Sequence, residues 1–193
     1  MTPEQAWLPY EPDGKRPWNL RLAAHLLRRA GFGADWPSLE QAVADGPGKT
    51  VERLLSPPAD LTAFNATFDR YDDASSTGNS TETLRAWWLR RMIETPYPLL
   101  EKMTLFWHGH FALGNHAVNN AALMVALVRS LREGALGSYR SLIEAVMNAP
   151  ALYLSLRSQR SRRSQPSSNV AQQLLAVFGV GPGYFDEQDV HAA

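Results

Sequence analysis

No cysteine occurs in the 193 residues, so disulfides, thiolate metal sites and a cysteine nucleophile are excluded, and the redox compartment cannot be read. The chain also lacks an excess of either charge, with nineteen Lys and Arg balancing nineteen Asp and Glu. A molecule so balanced has no global field to draw in nucleic acid or an anionic membrane, and neither is expected as a partner. Nor is there an apolar run long enough to span a bilayer. Residues 1–17 hold four prolines and several charges where a secretory signal needs a continuous apolar segment. They read as a proline-rich leader, and the default location is the cytoplasm. Finally, no segment alternates apolar and polar residues with β-branched enrichment, so strands are not expected to organise the fold.

What is present is helical periodicity. The hydrophobic fraction of 45% and the charged fraction of 20% are those of an ordinary globular protein, and the length suits one domain with a sizeable core. Asn19 caps a helix in which Leu20, Ala23, Ala24, Leu27 and Ala30 recur at helical spacing up to Gly31, a natural stop. Arg21, His25, Arg28 and Arg29 occupy its other face, where His25 reads as solvated or ion-paired. Asp35, Trp36 and Pro37 open a short helix closed by Gly46, and Thr50 to Leu55 make another. Ser80 or its neighbour caps a helix whose stripe of Leu84, Trp87, Trp88 and Met92 reads as core.

Pro96 and Pro98 end that helix and start the next. Val118 to Glu133 follows, with Ala122, Val125, Leu127, Val128 and Leu131 inside, and Ser138 and Pro150 begin two more helices. The last full one spans about Asn169 to Phe178. Two polar stretches, 72–80 and 157–168, read as loops. The second carries Arg157, Arg160, Arg162 and Arg163 without interleaved aromatic residues for base stacking, so it reads as solvated and not as a nucleic-acid site. The expectation is an all-α fold of about nine irregularly packed helices, not a simple up-down bundle, forming a single domain over 18–193.

The stretch from Glu101 to His116 holds three of the five histidines. On a regular helix Glu101, Thr104 and His108 share one face, Met103, Phe106 and His110 share another, and His108 and His110 lie about 200° apart. The two histidines converge only if the helix ends at Gly109. In the functional reading it does so. His108, His110 and His116 then become ligands to a divalent metal, and carboxylates from other helices join them, with Glu101, His108 and His110 as candidate catalytic residues. In the structural reading His108 and His110 are buried hydrogen-bonding residues that fix a turn, with Glu101 as a polar partner.

Four blocks carry a family resemblance. They are Ala23 to Gly33, the Trp-Trp helix with Arg91-Met92, Pro98 to Ala112, and Leu131-Arg132 followed by Ala135 to Arg140. Together they resemble the bacterial family called domain of unknown function 1800 (DUF1800). The resemblance implies a helical protein of uncharacterised activity, often accompanied by a second family that resembles sulfatases, and it supplies no established catalytic residues. Where the family typically has three carboxylates and an arginine, Pro166 to Phe178 has Ser168, Gln172, Gln173 and Ala176, and an expected aspartate is Arg157. Members also continue well past the segment that Tyr184 to Val190 resembles, which implies a chain ending inside the family domain. The expected function is therefore that of an interaction or remnant module lacking an intact catalytic site. The alternative is a metal-dependent hydrolase or oxidoreductase centred on the His-Gly-His turn.

Overall fold

The computed structural model describes residue 4 and residues 8–68, 80–156 and 168–192. Every regular element among them is helical, and there is no strand. In chain order these are α1 (Leu20–Ala30), α2 (Trp36–Leu55), a helical stretch at 62–68, α3 (Thr81–Glu94), α4 (Pro98–Phe111), α5 (Asn115–Val118), α6 (Ala121–Gly134), α7 (Tyr139–Met147), α8 (Pro150–Ser155), α9 (Ser168–Gln173) and α10 (Glu187–Ala192). No helix among them is long and apolar enough to cross a membrane. The polar loop expected at 72–80 falls outside the described residues except for Ser80, and that at 157–168 does so except for Ser168.

The caps explain most of the boundaries. Asn19, Asp35 and Ser80 each accept a backbone N–H of the first turn, and Asn120 does the same for α6, satisfying donors that a helix start leaves open. Two expected boundaries move. The two short helices expected on either side of Gly46 are both present within the span α2, separated where Gly46 leaves helical geometry at φ 77°, and the second begins at Pro47 instead of Thr50. Carbonyls at the bend remain satisfied: the buried Thr50 hydroxyl reaches Gly46 O at 2.6 Å and Trp18 Nε1 donates to Ala42 O at 2.9 Å.

The helix expected from Val118 starts instead at Ala121. Asn119 takes the left-handed conformation at φ 48°, which ends α5, and Asn120 then caps α6. Ala122 is accordingly exposed, while Ala121, Met124, Val125, Leu127, Val128 and Leu131 are buried. Asn tolerates that backbone better than most residues because its short polar side chain hydrogen-bonds locally.

Helices α4 and α6 cross at the centre. α4 touches α1, α2, α3 and α6, and α6 touches α3, α5, α7 and α8 as well. One apolar cluster fills the space around them, including Trp87, Phe111, Leu127, Leu131, Leu142, Leu152 and Phe178. Two glycines mark close crossings. A Cβ on Gly31 would stand 3.0 Å from Pro98 Cβ, and one on Gly134 would stand 2.7 Å from Leu142 Cδ1. Gly31 therefore sits close against the start of α4, and it is not a left-handed stop, since its φ is −152°.

Candidate functional site

Helix α4 carries the candidate residues, and its two ends differ. Pro98 begins it, with the fixed φ and missing N–H that suit a first turn. One turn on, Glu101 faces inward and is 1% exposed. Its carboxylate accepts from two guanidiniums: Arg91 Nε on α3 at 2.7 Å and Arg132 Nε on α6 at 2.7 Å, with Arg132 Nη2 at 3.3 Å on the second oxygen. Arg91 also donates through Nη2 to Asn65 Oδ1 at 2.7 Å and lies over the rings of Phe64 and Phe68. Arg132 lies over Trp87. Thr104, fully buried on the same face, donates to Leu100 O. Three helices are thus joined at one buried carboxylate.

The other end carries the histidines. The helix does not break at Gly109 but runs on to Phe111, and the turn comes at Ala112, which takes φ 52° while its N–H bonds His108 O. His108 and His110 therefore keep their helical divergence and face different neighbours. His108 meets Trp88 of α3 edge to face, with ring centroids 4.9 Å apart. Burial holds its imidazole below the ordinary histidine value, so it is neutral at pH 7. The Trp88 indole N–H is buried beside it and has no hydrogen-bond partner among the described residues.

His110 turns toward α7. Its Nε2 lies 3.1 Å from the Tyr139 hydroxyl, and that hydroxyl donates to Phe178 O at 2.8 Å. Because a phenol has one proton to give, His110 must be the donor to Tyr139, which fixes the proton on Nε2. Trp107 stacks on Tyr139 and donates to Ala135 O, and Phe178 meets Phe111 edge to face. Phe178 arrives from a π-helical turn, Leu174–Phe178, that continues α9. A wider turn of this kind adds a residue and re-aims the side chains beyond it. Burial also raises the Tyr139 phenol above its ordinary value.

His116 stands apart on α5, exposed, with its ring folded over Gly114. Among the described residues no group of three or more His, Asp or Glu is arranged to hold a metal ion. The structure therefore does not bring His108, His110 and His116 together, and it gives Glu101 to arginines where a histidine was expected. Of the positions where the resemblance implied lost carboxylates, Ala176 lies in the π-helical turn, half-buried, and Arg157 falls outside the described residues. Sequence reasoning missed Arg91, Arg132 and Tyr139 as partners. All three lie in blocks that carried the resemblance, which was the available signal.

A family model described as protein of unknown function (DUF1800) matches residues 25–193. No curated protein and no solved structure matches the chain.

Proposed function

The chain belongs to the DUF1800 family of proteins of unknown function, and from that premise we propose that it is a helical interaction module without a working catalytic centre. One observation carries this reading. Glu101, the acid on the central helix, is committed to Arg91 and Arg132, so its oxygens are occupied by guanidiniums and are not presented to a cation or a substrate. The histidines are spent on packing as well, His108 against Trp88 and His110 on Tyr139. The sulfatase-like proteins that often accompany the family are the first partners to try. A surface is at hand on the outer side of α4, where Phe106 is 55% exposed and stacks over His110.

The competing reading is a metal-dependent hydrolase or oxidoreductase centred on His108 and His110. It draws support from the neutral state of His108, the form that ligates metals, but it needs a helix unwound at Gly109. Elemental analysis of purified protein for zinc, iron and manganese separates the two. The module reading expects far less than one metal per chain, unchanged in His108→Ala. Stoichiometric metal that disappears in His108→Ala would overturn it.

A further inference from the structure

We infer that the basic face of α1 docks an acidic helical segment of a partner protein through Arg21, His25, Arg28 and Arg29. The inference rests on the module reading, but it uses a face of the molecule that the histidines of α4 do not share.

At 100° per residue the four side chains fall within about 100° of arc, and Arg21 to Arg28 covers about 10 Å of helix axis. All four residues are exposed, and α1 contains no acidic residue. Elsewhere among the described residues Arg16 pairs with Asp13, Arg53 with Asp45 and Arg90 with Glu94. None of the four on α1 has a carboxylate partner there. In a chain of net charge zero, this is a local segregation of positive charge.

Helix stability does not account for the pattern. Arg28 and Arg29 stand in the last turn, where the helix dipole favours cations, but Arg21 stands in the first turn, where it disfavours them. Arg21, Leu22, His25 and Arg28 line a shallow recess of about 410 Å³.

The occupant follows from charge and from what the rest of α1 is doing. Its apolar face is partly packed, with Ala23 fully buried, Leu22, Leu26 and Leu27 half-buried and contacts to α2 and α4, so it cannot turn that whole face into a lipid interface as a membrane-bound amphipathic helix must. No aromatic residue is interleaved in the stripe to stack bases, as single-strand binders require. Carboxylates recurring at i, i+4 and i+7 on a partner helix would match the stripe in spacing and sign, and guanidiniums hold carboxylates in a two-pronged fork.

The test uses the full chain and a labelled 18-residue helical peptide with Glu at that spacing, followed by fluorescence anisotropy. Its Lys counterpart, vesicles containing phosphatidylserine and a single-stranded oligonucleotide run in parallel. The Glu peptide is expected to bind and to weaken by about tenfold or more between 50 and 300 mM salt. The double reversal Arg21→Glu with Arg28→Glu should abolish binding, the milder Arg21→Gln with Arg28→Gln should weaken it several-fold, and Arg140→Glu on α7 should leave it unchanged. Absence of binding, equal binding of the Lys peptide, or preference for vesicles or oligonucleotide through the same arginines would overturn the inference. Metal content measured on the same samples tests the module reading separately. Metal-free protein that ignores the Glu peptide sinks only the docking face.

Discussion

The two ends of α4 are built by different physics. At its N-terminal end a single buried carboxylate meets two guanidiniums on two other helices, so the contact is directional and each member depends on the rest. At its C-terminal end two histidines diverge into aromatic surroundings, held by ring contacts and one hydroxyl. Charge at the first end has little freedom, because removing a partner strands another charge out of water. The second end tolerates loss of a side chain better, because ring packing is shared among many contacts. Removing one member is thus expected to cost more at the first end than at the second.

That contrast is tested most severely at Glu101. Replacing it by Ala leaves Arg91 and Arg132 buried and facing each other, and the loss is expected to be about 3–5 kcal/mol, against a typical total stability of about 5–15 kcal/mol. Urea unfolding of the wild type and of Glu101→Ala gives the figure. A loss below about 1 kcal/mol would mean that the arginines do not need the carboxylate, and Glu101 would return as a candidate for chemistry.

A smaller effect is expected at the histidine end, and it is visible only as a pH dependence. The His108 imidazole is held below its ordinary value by burial, so between that ordinary value, about 6.5, and the lower folded value the unfolded chain binds the extra proton. Stability is then full above about pH 6.5 and falls on acidification, with a slope of at most about 1.4 kcal/mol per pH unit. The carboxylates shifted downward, Asp13, Asp35, Asp60 and Glu82, act in a lower range, since their stabilising contributions disappear only as pH falls toward their folded values. Unfolding curves at pH 5, 6 and 7 should therefore show a slope that His108→Phe flattens. A slope unchanged by His108→Phe would mean that this end is not closed against protons.

How far these features could be read in the sequence follows the range of the interactions involved. Periodicity and caps are local, and the all-α class with the starts at Asn19, Asp35 and Ser80 was legible from residues within one turn of each other. The pairing of Glu101 with Arg91 and Arg132 spans 10 and 31 residues, and nothing in spacing selects those arginines over the other basic residues. Arg91 even replaced the expected Met92 on the buried stripe of α3, because an ion pair on Glu101 outweighed the apolar pattern. The π-helical turn that carries Phe178 to Phe111 had no sequence signal at all. The reach of His110 was legible only as far as its direction on the helix.

Gly109 offers the finest discrimination between the two ends, because it decides whether the histidines can ever converge. If the helix unwinds there, the glycine supplies backbone freedom, and a Cβ would hinder it. In the structure Gly109 is helical and exposed, and a Cβ at that position would meet no atom within 4 Å. The left-handed residue is Ala112, three positions later. Glycine inside a regular helix is less favourable than alanine by about 0.5–1 kcal/mol, mostly because the unfolded chain has more conformations to lose. Gly109→Ala should therefore raise stability by about that amount in urea unfolding, with metal content and any partner affinity unaltered. A destabilisation of similar size would place the break at Gly109, reunite His108 with His110, and turn the aromatic end of α4 back into a candidate site.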